Sequence, residues 1–542
     1  MSEDKSEDKR SNWSRRDLLK GIAGVPIVGS VWWAGASKGV NNTQARDSIL
    51  KTLNINASPP PPSGPMAGDP IRIGIIGFGI RGPQLCRALG FGQKSWLASM
   101  AEAAKKNPKD TRLSSFLEQE HLNVHITAVC DLFDVRAQDA IDSFSTDEVK
   151  VQRFRTHQEL VESDVVDAVI IATPDHWHAP IAIAALQAGK HVYVEKPMTH
   201  NIKETYALKD VVETSNVVFQ VGHQHRQTQS FLTAQDVVKK NILGHVSLIQ
   251  ANTNRNDDNG AWQYPIHEKA NPNTVDWKQF IGSAPMVPFN AEHFFRWRKW
   301  WAYGSGLSGD LLTHDYDRLN CVLNMGIPEA VMTSGGIYTH KDGRNVPDVM
   351  QVNMEFPDFS TGSSQTAGKE KGMTMVYSAT LGNQYGRTTA FMGHDATMEV
   401  GNSLTIYADG KSTKFKEKIV SEEMDPNVPI YQYDPASGSV DGVTSATAKY
   451  FADKGLLWTY RDGKRVDSTH LHIREWLSCI RNGGTPSCNI KEGFEEAMTS
   501  HMGGLSYKLG RRIDWDQAKQ EIVQVEGYDL DEALLEDKEK IV

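Results

Sequence analysis

Cysteine is scarce in this chain of 542 residues: Cys86, Cys130, Cys321, Cys479 and Cys488 are all there are, and no two stand in a C-x-x-C spacing. That excludes a disulfide framework and a cysteine-built zinc site. Long apolar runs are missing too. The run Gly21–Trp33 holds 13 uncharged residues, short of the roughly 20 that a membrane-spanning helix needs. Positive charge is not in excess, since 58 Lys and Arg face 67 Asp and Glu for a net charge of −9. No overall field therefore draws nucleic acid or an anionic membrane. What remains is an ordinary globular composition, 39% hydrophobic and 23% charged, in a chain too long for one hydrophobic core.

The N-terminus departs from that average. Charged SEDKSEDKR is followed by SRRDLLK with Arg15 and Arg16, then the apolar run, then the small-x-small site Ala34-Gly35-Ala36. This order resembles a twin-arginine export signal over residues 1–36 and places the protein in the periplasm. No cysteine lies near residue 36 to carry a lipid anchor. Export by a route for folded chains suits a cofactor loaded in the cytoplasm. Residues 37–70, which end in INASPPPPSGPMAGDP, read as a proline-rich linker outside any packed core. Residues 516–542, with DLDEALLEDKEK, read as a charged, solvated tail.

Between these ends the pattern changes once. From IRIGIIGFG through VHITAVCD, DAVIIAT and HVYVE to VVFQVG, apolar strands alternate with helical stretches such as APIAIAALQAG. That alternation predicts a doubly wound parallel sheet over 71–222, and the continuous apolar run of DAVIIAT suits a strand covered on both faces. After Gly222 come HVSLIQANTNRN, DVMQVNMEF, MTMVYSATL and ATMEVGNSLTIYA with no helix between each pair. They predict an α+β domain on a mostly antiparallel sheet over 223–515, closed by helices in LHIREWLSCIRNG and IKEGFEEAMTSHMGGLSYKLG.

Gly77-Phe78-Gly79-Ile80-Arg81-Gly82 is G-x-G-x-x-G directly after a strand and at the opening of a helix, the context a dinucleotide turn requires. Gly77 makes the turn, Gly79 admits the pyrophosphate, and Gly82 packs helix on strand; the N–H groups at Ile80 and Arg81 face the phosphates. Asp131 ends the second strand, where a carboxylate binds ribose hydroxyls and repels a 2′-phosphate, so NAD is expected over NADP. Asp131 lies 49 positions after Gly82 instead of about 20, which marks residues 90–123 as an insertion.

ATPDHWHAPIAIAALQAGKHVYVEKP, with the glycine turn and the later D-x-x-x-H of GDLLTHDYD, resembles the glucose–fructose oxidoreductase, inositol dehydrogenase and MocA (Gfo/Idh/MocA) family over Ile71 to about Asp514. The resemblance implies an NAD-dependent oxidoreductase in which Lys196 points at the nicotinamide and the Lys-Pro bond is often cis. It maps the catalytic acid–base pair onto Asp310 and His314, and Asp317 onto a later acid. Lys196 would hydrogen-bond a substrate hydroxyl, and His314, neutral at pH 7, would take its proton as hydride leaves. Thr173 and Pro174 are implied beside the cofactor, and Asp175, His178 and Glu195 are expected with them. His223, His225 and Arg226 in GHQHR, and Arg296, Trp297 and Arg298 in FRWRKWW, are expected on the substrate side, the aromatics stacking on a sugar; an aromatic interface is the alternative for FRWRKWW. The pairs His176/His178 and His223/His225 raise the question of a metal, and none is expected.

The expected function is an exported oxidoreductase that moves hydride between a secondary alcohol of a sugar, glycoside or polyol and tightly held NAD. A redox glycosidase working through a transient 3-keto sugar is one alternative, a non-catalytic NAD-binding sensor the other. A homodimer or homotetramer is expected, as the resemblance implies, with no nucleic-acid partner.

Overall fold

The computed structural model describes residues 49–51, 53–55 and 64–537, apart from 358, 360–371, 387, 434–457 and 462–463. The signal-like segment and most of the proline run lie outside the described residues.

Six strands build the first sheet: β1 (Ile71–Ile76), β2 (Val124–Cys130), β3 (Gln152–Arg153), β4 (Ala168–Ile171), β5 (His191–Val194) and β6 (Phe219–Val221). All neighbours are parallel, in the order β3-β2-β1-β4-β5-β6. This is the doubly wound order whose reversal beside β1 opens a ligand crevice at the strands' carboxyl ends. Every residue of β4 is buried, as helices on both faces demand. Helix Arg81–Leu89 follows the glycine turn, helix His178–Gln187 follows β4, and helix Ile202–Thr214 follows β5. The last begins where Asn201 accepts from the Glu204 N–H at 2.9 Å, a side-chain cap.

The second sheet contains β7 (Val246–Asn254), β8 (Ala330–Gly336), β9 (Val349–Phe356), β10 (Met373–Thr380), β11 (Thr389–Gly393), β12 (Ala396–Val400), β13 (Leu404–Ala408) and β14 (Tyr431–Tyr433). A separate hairpin is formed by β15 (Trp458–Arg461) and β16 (Lys464–Asp467), and β17 (Ile513–Asp516) with β18 (Glu521–Ile522) completes the large sheet. Its order is β14-β13-β12-β11-β7-β10-β9-β8-β17-β18, antiparallel except where β10 runs parallel to β7. Burial alternates along β9 and β10, so one face is core and the other is open. The stretch ATMEVGNSLTIYA, read above as one strand, is two, because Gly401–Ser403 turns the chain between β12 and β13.

Three other expectations change. Ile49 and Leu53 are buried in the core of the second domain, and Met66 packs on the first domain's core, so part of 37–70 is docked: apolar residues flanking the prolines find apolar surface. The tail is not wholly solvated either. Leu530, Ala533 and Leu534, the apolar face of helix Leu530–Leu535, are buried in the same core, and the Lys508 ammonium donates to the carbonyls of Leu534 and Glu536. Helix Ser468–Asn482, read above as part of the second domain, contributes Ile473, Trp476 and Leu477 to the first domain's core. The 90–123 insertion forms helices Lys94–Lys106 and Arg112–Leu117, neither with a fully buried residue. It loops out without displacing Asp131.

Candidate active site

The glycine turn and the end of β2 meet as the motif requires. Gly77 has φ +88°, and a Cβ there would lie 2.6 Å from the Ala172 carbonyl oxygen, so only glycine makes this turn unstrained. The Phe78 N–H donates to Asp131 Oδ2 at 2.6 Å and the Phe133 N–H to Oδ1 at 2.8 Å. That fixes the carboxylate at the crevice with lone pairs left for a ligand. Helix Arg81–Leu89 begins at Ile80 with no side-chain cap, leaving its first N–H groups for an anion. Ile80 itself is 53% exposed. The Thr173 hydroxyl, on the loop after β4, is buried without a hydrogen-bond partner. An exact-fit cradle, an uncapped helix start and an orphaned hydroxyl along one crevice fit a dinucleotide.

Around that crevice the charges are paired. Arg81 Nε donates to Glu195 Oε1 at 2.7 Å, tying the turn to the end of β5. Both ring nitrogens of His178 face carbonyls, Pro197 at 2.7 Å and Thr173 at 2.9 Å, so this imidazole braces two loops. Asp175, after Pro174, accepts from the Ser305 N–H at 2.9 Å and joins the two domains. Burial pushes its carboxyl above the usual range. His176 lies against the Phe280 and Tyr303 carbonyls.

Lys196 follows β5, and its bond to Pro197 is cis. Its Nζ lies 3.0 Å from Asp310 Oδ1 and 2.7 Å from the Asp310 carbonyl. Asp310 sits in a wide π-type turn, Ser308–Leu312, that opens helix Thr313–Leu323; such turns recur at functional sites. A Cβ on Gly309 would fall 2.1 Å from Ser305 Cβ and 3.3 Å from Pro197 Cγ, so the absence of a side chain lets this turn press onto the Lys-Pro turn. Arg298 Nε also reaches Asp310 Oδ1 at 3.0 Å, and Trp262 Nε1 reaches Oδ2 at 3.0 Å. Burial alone would raise the Asp310 carboxyl; Lys196 and then Arg298 hold it far below the carboxylate range.

One turn on, His314 has a buried Nδ1 with no partner. Burial, then the Lys196 ammonium, depress its pKa well below the ordinary value, so the imidazole is neutral at pH 7 and able to take a proton. His225 packs against it at 5.2 Å between ring centroids and His223 edge-on at 5.8 Å. Asp317 sits in a buried ion pair with Arg226, 2.7 Å to Nη2, and Arg226 Nη1 donates to the Ser487 carbonyl at 2.6 Å. Of FRWRKWW, Arg298 reaches the site with its guanidinium 4.2 Å from the Trp297 ring centroid. Arg296 is committed to the Tyr264 carbonyl and Glu292. Sequence reasoning missed Trp262, which is buried, bonds Asp310 and stands in no motif or spacing that announces a site. Among the described residues no three His, Cys, Asp or Glu side chains converge so as to hold a metal.

Two family models cover this architecture. One, "Oxidoreductase family, NAD-binding Rossmann fold", matches residues 71–223, and the other, "Oxidoreductase family, C-terminal alpha/beta domain", matches 271–514. A levoglucosan dehydrogenase of Pseudarthrobacter phenanthrenivorans is 28% identical over 40% of this chain and 53% of its own length. A glycosyl hydrolase family 109 protein of a Shewanella species is 35% identical over 27% of this chain and 26% of its own. The scyllo-inositol 2-dehydrogenase (NADP(+)) IolW of Bacillus subtilis is 33% identical over 18% and 27%. The matched stretch thus spans about half the length of the first of these relatives or less. Among solved structures, a levoglucosan dehydrogenase in complex with NADH shares the fold, with a TM-score of 0.53 and 18% identity over 82% of this chain and 99% of that one. The chain belongs to the Gfo/Idh/MocA family of NAD-binding oxidoreductases.

Proposed function

We propose that this protein oxidises a secondary alcohol of a sugar, glycoside or polyol by hydride transfer to NAD, with Lys196, Asp310 and His314 as its catalytic residues. The observation that carries the reading is the convergence of a cation from the first domain with a carboxylate and a neutral imidazole from the second, Lys196 Nζ lying 3.0 Å from Asp310 Oδ1 at the carboxyl end of β5. The nicotinamide, when bound, accepts the hydride. Lys196 hydrogen-bonds the substrate oxygen and stabilises the negative charge that grows there. Asp310 holds the ammonium in place, and His314 accepts the hydroxyl proton. Trp297, with Arg298 over its face, offers a platform for the apolar face of a sugar ring. The named activities of the levoglucosan and inositol dehydrogenase relatives support the substrate class.

The twin arginine and apolar run support export to the periplasm. Free nicotinamide cofactor is scarce there, so we further propose that NAD is loaded before export, held tightly and regenerated in the same site. A homo-oligomer, paired through the open sheet face, completes the reading. The glycosyl hydrolase family 109 relative favours one second reading, in which oxidation is transient and the net reaction is glycoside cleavage.

Purified protein to which candidate glycosides and polyols are added, without free NAD, separates these readings. Bound cofactor that is reduced, seen as near-ultraviolet nicotinamide absorbance, supports oxidation with retained cofactor. Free sugar released without lasting reduction supports the second reading. Absorbance that grows only with added NAD refutes retention, and Lys196→Met with unchanged turnover refutes the site.

A further inference from the structure

Beside the indole that holds Asp310 stands a cation that the reaction above leaves unused. Arg255 follows β7 directly, and the segment it opens ends at Trp262, whose Nε1 donates to Asp310 Oδ2 at 3.0 Å. The Arg255 N–H donates to the Thr380 carbonyl at 2.9 Å, which ties its backbone to the large sheet. The stem of its side chain lies against Gly260, where a Cβ would fall 2.9 Å from Arg255 Cβ and 3.2 Å from Cδ. The missing side chain at Gly260 thus leaves room for that stem. Arg255 is half-buried, yet among the described residues its guanidinium has neither a hydrogen-bond acceptor nor an ion-pair partner.

We propose that Arg255 anchors an anionic group of the substrate, a carboxylate or a sulfate, so that the site takes acidic sugars in preference to neutral ones. The proposal rests on the dehydrogenase reading and names the class of sugar that this reading leaves open. A guanidinium presents paired N–H donors in a plane, which match two oxygens of a carboxylate or sulfate. A neutral sugar leaves those donors to water. A charged hydrogen bond of this kind discriminates by about ten- to a hundredfold.

The acids nearby are already answered by other groups. Asp310 is held by Lys196, Arg298 and Trp262, and Asp315 by Arg318 and the Thr253 hydroxyl. Asp257, on the same segment as Arg255, accepts from the Gly260 N–H at 2.8 Å. Burial raises the Asp310 carboxyl, while Lys196, Arg298 and Arg255, in that order, lower it. Three cations therefore act on one carboxylate. Asp175, a second acid on which Lys196 and Arg298 act, is itself raised by burial. With both acids counted as ionised, one cation is still left over. The chain as a whole carries a net charge of −9, so this local positive excess is a feature of the site and not of the composition.

Calorimetric titration of the NADH-loaded protein tests this with matched sugars. D-glucuronate, D-galacturonate and glucose 6-sulfate are the acidic probes, D-glucose and D-galactose the neutral ones. At least one acidic probe should bind ten times more tightly than its neutral counterpart, and the advantage should shrink as salt is added. Preference for the uronates or for the sulfate identifies which anion the site takes. In Arg255→Met the ratio of acidic to neutral affinity should fall close to one, whereas Arg255→Lys, which keeps the cation, should retain most of it. Acidic probes that bind no better than neutral ones, or do not bind, overturn the proposal. So does a ratio that is unchanged in Arg255→Met or lost equally in Arg255→Lys. Nicotinamide fluorescence on loading is read separately; its absence would instead count against the dinucleotide site itself.

Discussion

At the scale of single residues, the site depends on Lys196 carrying a charge that two neighbours answer differently. Asp310 is ionised because of it, and His314, depressed first by burial, is depressed further by it. Replacing Lys196 with methionine removes the cation, so the His314 pKa should move up, toward the ordinary histidine value. A histidine ring titration followed by nuclear magnetic resonance would read this shift directly. An unmoved His314 would mean that burial alone sets its state. Replacing His314 with alanine should lower kcat by about 10²–10⁴ and leave nicotinamide binding intact, since the cofactor crevice is built by the other domain. Steady-state rates and fluorescence titration would separate the two effects. These three residues were legible because a family motif and a helical spacing announce them. Trp262 was not: it reaches Asp310 from an irregular segment with φ +66°, and no periodicity encodes a lone indole N–H aimed at a carboxylate. Arg226 and Asp317 were legible as polar residues near the site, but their pairing with each other came only with the fold.

At the scale of elements, hydrophobic period carried the reading furthest. A strand buried on both faces shows as an unbroken apolar run, as in β4, and β1, β2 and β5 were visible as mostly apolar stretches. The edge strand β3 was not, because its two residues give no period to detect, whereas the short edge strand β6 showed in the apolar VVFQVG. Amphipathic ends were misjudged for a related reason, as charge dominates DLDEALLEDKEK while only Leu530, Ala533 and Leu534 decide its docking. Leu534 is buried against the domain core, so Leu534→Ala should cost about 2–4 kcal/mol, measurable as a lower urea midpoint. A truly solvated tail would show no change. At the glycine turn, Gly77→Ala would place a methyl group 2.6 Å from the Ala172 carbonyl oxygen. Dinucleotide binding by calorimetry should fall at least tenfold, and unaltered affinity would detach this turn from the cofactor.

At the scale of the whole molecule, the two domains are locked together by buried histidines, and these set how the protein answers acid. His176 and His200 sit where loops of the two domains meet, their ring nitrogens against the carbonyls of Phe280 and Tyr303 and of Trp301 and Gly304. His472 reaches the Val221 carbonyl, and His501 the hydroxyls of Thr199 and Thr205. Burial lowers His176 and His472 to about 4, and His200 and His501 to about 3. In the unfolded chain each would titrate near 6.5. A folded pKa below the unfolded one means that the unfolded state binds the extra proton, so stability is complete above about 6.5 and is lost as pH falls toward 4. Each such group contributes about 1.4 kcal/mol per pH unit within that window. His225, His314 and His470 are depressed by burial as well. The depressed imidazoles outnumber the groups that act in the opposite sense, the raised His223 and the raised carboxyls of Asp175, Glu204, Glu475 and Glu496. Thermal midpoints should therefore drop steeply between about pH 6.5 and 4. His200→Gln, whose amide can still donate to the Trp301 and Gly304 carbonyls, should flatten that slope by the share of one titrating group, about 1.4 kcal/mol of stability per pH unit. Equal slopes in variant and parent would show that His200 already carries its proton inside the fold, and that the junction between the domains is held by a cation instead of a neutral ring.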